Sequence, residues 1–257
     1  MSIPKIVHYC WFGPKQIPEN EQMYIEKWKE MLPDYRFILW NENNFDIKSN
    51  QYAFEAYKNK KFAFVADYVR IKVLIEMGGI YMDTDVELLK GFSPFLKDKA
   101  FIGFENRTMV GTGIIGSEPG NLVLLEMMNY YNSHSFIDEN GIMDTTTNVK
   151  ILNKILVEKG LDPQNKEQRI EEFHIYDRNI FCPKKINENS FNVTDCTVSI
   201  HHFDASWLTE RERKRGTNLL WRNVCRPVLR TLRSCANSIL GEKKTKLMEA
   251  KLRDKIK

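Results

Sequence analysis

The segment Phe62–Asp85 constrains this chain more than any other stretch. From Phe62 to Met77 apolar side chains (Phe64, Val65, Val69, Ile71, Val73, Leu74, Ile75) fall around most of a helical wheel, so a helix here is buried on nearly all sides. Gly78-Gly79 stops it, because glycine takes the left-handed cap conformation at little cost. Ile80-Tyr81-Met82 then reads as a short strand that runs directly into Asp83-Thr84-Asp85. The rest of the chain repeats the alternation. Strands are expected at 5–12 (closed by Gly13-Pro14), 35–40, 100–104, 110–115 and 198–203, and helices at 19–31, 52–59, 121–132 and 145–158. Asp144 or Thr145 is the expected N-cap of the last helix. Alternating strands and helices predict an α/β chain with a Rossmann-like, mostly parallel sheet flanked by helices.

Charge divides the chain. Residues 211–257 hold 15 Lys and Arg against 4 Asp and Glu, whereas residues 1–210 hold 23 against 30. A mildly acidic domain, 1–210, is therefore expected to carry a basic tail, 211–257. In the tail Leu220, Val224, Val228 and Leu232 recur every fourth residue among Arg222, Arg226, Arg230 and Arg233, the pattern of an amphipathic basic helix with Pro227 as a kink or break. Such a helix suits packing on the domain, an oligomer contact, or an anionic membrane, where each basic residue contributes about 1 kcal/mol. No nucleic acid is expected as partner, since no recognised RNA or DNA motif accompanies the charge. The opening residues lack a signal-peptide pattern and no apolar run is long enough to span a bilayer. The expected location is cytoplasmic, with the tail able to dock the protein on the cytoplasmic membrane face. Five cysteines, an odd number without a C-x-x-C pair, are expected to be reduced thiols, not zinc ligands.

The chemistry centres on Asp83 and Asp85. Alternation puts Tyr81, Asp83 and Asp85 on one face at the carboxyl end of a strand, where open α/β sheets bind ligands. Two carboxylates there make a hard oxygen site for Mn²⁺ or Mg²⁺, able in turn to hold a diphosphate. A D-x-D alone is weak, because chance supplies about one in a chain of this size and a solvated turn explains it equally well. Asp67 and Arg70 strengthen it. They lie three apart on the apolar helix, so they either pair with each other or serve a ligand, with Asp suited to hydroxyls and Arg to phosphate.

The run Phe64-Val65-Ala66-Asp67-Tyr68-Val69-Arg70, then Leu74, Glu76, Gly78-Gly79, Ile80-Tyr81, Asp83 and Asp85, resembles the signature of the sugar-binding glycosyltransferases with a DXD motif. This is glycosyltransferase family 32, related to yeast mannosyltransferases and to the catalytic domains of large clostridial toxins. Ile3 to Gly13 is similar to the family's opening strand, and Ile200-His201-His202-Phe203-Asp204-Ala205-Ser206-Trp207 to its closing segment. The resemblance covers roughly residues 1–210. It implies a GT-A fold, a nucleotide-diphosphate sugar donor, a divalent metal and retention of configuration. It implies Asp83, Asp85 and Arg70 as catalytic residues. Donor binding falls to His8, Trp11, Asp67, Arg70, Tyr81, Asp83, Ser206 and Trp207. Metal ligation falls to Asp85 and to one of His201 and His202, with His202 favoured. The expected acceptor is a saccharide or lipid-linked saccharide in surface polysaccharide biosynthesis. A UDP-sugar is favoured over GDP-mannose.

Other readings compete. Gly111-Thr112-Gly113-Ile114-Ile115-Gly116 matches G-x-G-x-x-G, which raises an NAD-dependent oxidoreductase, but that fingerprint should follow a strand and open a helix. Here Ile114-Ile115 reads as continuing strand, and a flat, side-chain-poor strand beside a sugar or a plain loop accounts for it. A glycosidase would hold its two carboxylates about 5–9 Å apart across a sugar, a poor match to neighbouring aspartates.

Overall fold

The computed structural model describes residues 2–184, 190–204, 218, 221–241, 244–245 and 248–249. By internal contacts the chain divides into a larger unit, Met1–Ser135 with Thr145–Asp204, and a smaller one, Phe136–Asp144 with Ala205–Lys257. The expected boundary at 210 falls outside the described residues.

The larger unit is an α/β domain. Its strands are β1 (Ile6–Cys10), β2 (Arg36–Trp40), β3 (Gly79–Met82), β4 (Val86–Leu88), β5 (Ala100–Gly103), β6 (Ile114–Ser117), β7 (Gln168–Ile170), β8 (Phe173–Tyr176) and β9 (Ser199–His201). Its helices are α1 (Glu19–Met31), α2 (Gln51–Lys58), α3 (Phe62–Met77), α4 (Leu122–Ser133), α5 (Asn148–Glu158) and the short α6 (Arg178–Phe181). Seven strands form one sheet in the order β2-β1-β3-β6-β5-β8-β7. Five of them point the same way, and β6 and β7 are reversed. The α/β class with a mostly parallel sheet, expected from the alternation, is what the chain adopts.

Side-chain alternation assigns the two faces of the sheet. Val7, Tyr9, Ile80 and Met82 pack with Ile25 and Trp28 of α1 in one core cluster. His8 and Tyr81, at the alternate positions, turn instead to α3, where His8 meets the Gly78 carbonyl and Tyr81 meets Arg70. The remaining strands, β4 and β9, make a separate antiparallel pair with Val86 opposite His201. Helix α1 braces this pair, since the fully buried Trp28 donates its indole N–H to the Val86 carbonyl at 2.8 Å.

Two expected boundaries moved for identifiable reasons. Helix α5 starts at Asn148, not near Thr145, because its first amide is capped across space: Asn148 N–H donates to the Asp67 carboxylate at 3.3 Å. The strand expected at 110–115 is β6 at Ile114–Ser117, antiparallel to β3, and residues 111–113 lead into it.

In the smaller unit, α7 (Arg226–Leu240) follows a helical turn at Trp221–Cys225 and exposes Val228, Leu229 and Leu232. Pro227 sits in its first turn, where a missing N–H costs nothing, so it opens the helix and does not kink it. No helix among the described residues is long and apolar enough to cross a membrane.

Candidate active site

The site grows from the carboxyl end of β3. Asp83 leaves the strand with its amide donating to the Gly113 carbonyl at 2.8 Å, which ties it to the chain entering β6. Arg70 of α3 lies behind it with a side chain only 7% exposed. One Arg70 nitrogen, Nη2, is 3.1 Å from both Asp67 Oδ1 and Asp83 Oδ1, and Nη1 donates to the Thr112 carbonyl at 2.6 Å. The guanidinium rests on the Tyr81 ring, 4.4 Å from its centroid, and the Tyr81 hydroxyl donates to Asp83 Oδ1 at 3.0 Å. Asp67 and Arg70 do pair with each other, and Asp83 shares the same cation.

Charge states follow from these contacts. Burial opposes ionisation of Arg70, but Asp83 and Asp67 outweigh it and hold its pKa above the ordinary arginine value. Burial pushes the Asp67 carboxyl up to about 6, against the pull of Arg70 and the Asn148 amide. Arg70 is therefore a fixed cation that holds both carboxylate oxygens of Asp83, Nη2 at 3.1 Å from Oδ1 and Nη1 donating to Oδ2 at 3.4 Å.

Asp85 is set by β9. Pairing of Val86 with His201 brings His201 Nε2 to 3.2 Å from Asp85 Oδ1, while the Asp204 amide donates to Asp85 Oδ2 at 3.0 Å. Burial tends to raise the Asp85 pKa, but His201 and the Asp204 amide hold it below the ordinary value. Burial likewise tends to lower the His201 pKa, and Asp85 more than reverses this. Ligand atoms of Asp83, Asp85 and His201 all lie within 4.8 Å of one another. Two carboxylates and an imidazole are a donor set that suits Mn²⁺ or Mg²⁺.

Other expected residues have different places. His202, favoured as metal ligand, points away: its Nε2 is 3.2 Å from Glu87 Oε2, and its ring stacks on Tyr24 at 4.9 Å. Adjacent residues of a strand face opposite sides, so only one of the two histidines can reach the aspartates, and the β4–β9 register selects His201. His8, expected at the donor, is fully buried with both ring nitrogens engaged: Trp40 Nε1–H donates to Nδ1 at 3.1 Å, and Nε2 is 2.9 Å from the Gly78 carbonyl. It braces β1, β2 and the end of α3, and no nitrogen is left for a ligand. Trp11 is half-buried, its indole N–H donating to the Lys15 carbonyl at 2.6 Å. Ser206 and Trp207 lie outside the described residues. One carboxylate escaped the sequence reading. Glu105, two residues past β5, lines a cavity with Gly111, Gly113 and His201. The strand-end logic applied to Asp83 would have found it.

An arginine-braced Asp83 at the lip of the sheet, with Asp85 and the β9 residue His201 beside it, defines the class: an α/β domain whose strand ends carry side chains that could hold a cation. The particular group comes from comparison. Residues 18–102 match the family described as the glycosyltransferase sugar-binding region containing a DXD motif. Over that stretch the chain is similar to the sugar-binding region of the DXD glycosyltransferases. It is 29% identical over 151 residues to a mannosyl phosphorylinositol ceramide synthase of Saccharomyces cerevisiae, covering 56% of this chain and 39% of that protein. It is 27% identical over 219 residues to an uncharacterized glycosyltransferase of Acanthamoeba polyphaga mimivirus, covering 80% and 84%. Among solved structures it is similar to the PaToxG glycosyltransferase, with TM-score 0.45 and 19% identity over 62% of this chain and 70% of that one. The chain spans about two fifths of the length of the yeast relative.

Proposed function

We propose that this protein moves a hexose, with retention, from a nucleotide-diphosphate sugar to a saccharide or lipid-linked saccharide acceptor, using Mn²⁺ or Mg²⁺, in surface polysaccharide assembly. The observation that carries this reading is the convergence of Asp83, Asp85 and His201. Asp85 and His201 are the direct cation ligands. A divalent ion bound there supplies Lewis acidity toward the departing diphosphate. Asp83, held by Arg70 through both oxygens and by Tyr81 through Oδ1, contacts ribose or sugar hydroxyls, and the Arg70 guanidinium adds positive charge beneath the phosphates. Trp11 offers a ring for the base. A UDP-sugar is the favoured donor. GDP-mannose stands second, in keeping with the mannosyl transfer in the yeast relative's name. The protein works in the cytoplasm, with α7 and the basic tail resting on an anionic membrane face. Exposed Val228, Leu229 and Leu232 beside Arg230 and Arg233 support that placement.

A thermal-shift screen of UDP- and GDP-sugars with Mn²⁺ tests the reading. A donor at about 100 times its dissociation constant adds about 2.7 kcal/mol of stability. Absence of any shift, with Mn²⁺ present, would refute it.

A further inference from the structure

Glu105 is placed where the proposed reaction has a use for a carboxylate that no described side chain takes up. Its backbone is fixed: the amide donates to the Met109 carbonyl at 2.9 Å, and its carbonyl accepts from Cys182 Sγ at 3.5 Å. The turn behind it is closed by Asn106 Oδ1, which accepts from the Thr108 and Met109 amides, each at 3.0 Å. The head group, in contrast, has no hydrogen bond or ion pair among the described residues. It faces a cavity it shares with Gly111, Gly113 and His201. Burial, and then the charge of Asp83, tend to push its pKa up, against His201 and Lys184.

The glycines explain what the cavity is for. A Cβ on Gly111 would stand 2.7 Å from the Glu105 Cβ and 3.1 Å from Oε2. A Cβ on Gly113 would stand 2.8 Å from His201 Nδ1 and 3.3 Å from Asp83 Oδ2. Glycine at 111 and 113 thus lets Glu105 and the Asp83–His201 centre close onto the same short strip of backbone, one at each end, around the cavity. Resting on the glycosyltransferase reading above, we infer that Glu105 selects the transferred hexose: its carboxylate accepts a hydrogen bond from a ring hydroxyl of a sugar that enters the cavity between Glu105 and the Asp83–His201 centre. Carboxylates suit this role because, when ionised, they only accept, and hydrogen bonds from hydroxyls to an ionised acceptor are short and strong.

Binding measurements separate this role from a structural one. Calorimetry with Mn²⁺ compares UDP and GDP with UDP-glucose, UDP-galactose and GDP-mannose on wild type, Glu105→Gln and Glu105→Ala. The expected result is that Glu105→Ala binds the preferred sugar nucleotide roughly 10- to 100-fold more weakly, the loss of a hydrogen bond to a charged group. Glu105→Gln should fall between, and both variants should bind the corresponding nucleoside diphosphate within about twofold of wild type. Equal weakening of sugar nucleotide and diphosphate, or no weakening of either, would overturn the assignment while leaving the glycosyltransferase reading in place. A wild-type protein that binds none of the five probes would overturn that reading, and the Glu105 assignment with it.

Discussion

His201 and Asp85 face each other with Nε2 and Oδ1 3.2 Å apart, across a strand pair that lies outside the main sheet. The contact depends on register. Sliding β9 by one residue on β4 would offer His202 to the aspartates and turn His201 outward. The two histidines therefore make an internal control.

His201→Ala should weaken Mn²⁺ binding at least about 10-fold, by the scale on which even residues that only support a ligand act. His202→Ala should leave Mn²⁺ affinity unchanged and cost about 1 kcal/mol of stability through loss of its stack on Tyr24. Mn²⁺ titration by calorimetry or electron paramagnetic resonance checks both, and the reverse ranking would return the metal-ligand role to His202. Asp85→Ala should lower turnover at least about 100-fold, roughly 3 kcal/mol, even at saturating Mn²⁺.

Arg70 holds Asp67 and Asp83 together in a poorly hydrated place, and its Nε is buried without a hydrogen-bond partner among the described residues. Removing it strands two carboxylates. Arg70→Met should destabilise the fold by about 3–5 kcal/mol, the cost of breaking a buried pair from one side. Arg70→Lys should not rescue it, because an ammonium cannot bridge two carboxylates and the Thr112 carbonyl in one plane. Chemical denaturation gives the answer, and a stable Arg70→Lys variant would show that the fork geometry is dispensable.

Much of this was legible in the sequence because local and tertiary signals agreed. Helix α3 has the limits its apolar run and Gly78 predict, and β3 delivers Asp83 to the sheet edge as alternation requires. What escaped depends on pairing between distant segments. β7 and β8 are short and mixed in character, with polar Gln168, Arg169 and His174 beside apolar neighbours, so periodicity gives little warning of them. The reversal of β6 leaves no mark on its composition, since a strand buried on both faces reads alike in either direction. The structural part that His8 plays was hidden for a related reason. A histidine among apolar strand residues can serve a ligand or the fold, and its partners, Trp40 and Gly78, are 32 and 70 residues away.

The glycine pattern at 111–116 splits into two functions with separable outcomes. A Cβ on Gly116 would stand 2.0 Å from Phe101 Cε1, inside a core where Phe101 stacks on Phe92 and Phe181. Gly116→Ala should therefore cost about 1–3 kcal/mol of stability by overpacking, with Mn²⁺ affinity unchanged in the folded fraction. Gly113→Ala meets a side chain, His201, whose ring can shift. It should cost less than about 1 kcal/mol of stability but displace the ring and reduce Mn²⁺ affinity. If both variants lost stability equally and kept the metal, the strip beside His201 would be no more than part of the core.

His8 gives the fold a pH dependence whose sign is fixed by its burial. Burial, only partly opposed by the Gly78 carbonyl and reinforced by Arg36, lowers its pKa from 6.5 to about 4. Because Trp40 donates to Nδ1, the ring is neutral with its proton on Nε2, donated to Gly78. On acidification the unfolded chain takes up this proton first. The stability that neutral His8 contributes is complete above pH 6.5 and is lost progressively as pH falls toward about 4, by up to about 3 kcal/mol. Between pH 6.5 and 5 the wild type should lose about 2 kcal/mol from this residue alone. His8→Gln, less stable at pH 8 because its amide cannot reach both partners, should lose about 2 kcal/mol less over the same interval. Urea unfolding at pH 8, 6.5 and 5 measures the difference. Parallel pH profiles for the two proteins would mean that His8 is protonated in the fold, and that Trp40 donates its hydrogen bond elsewhere.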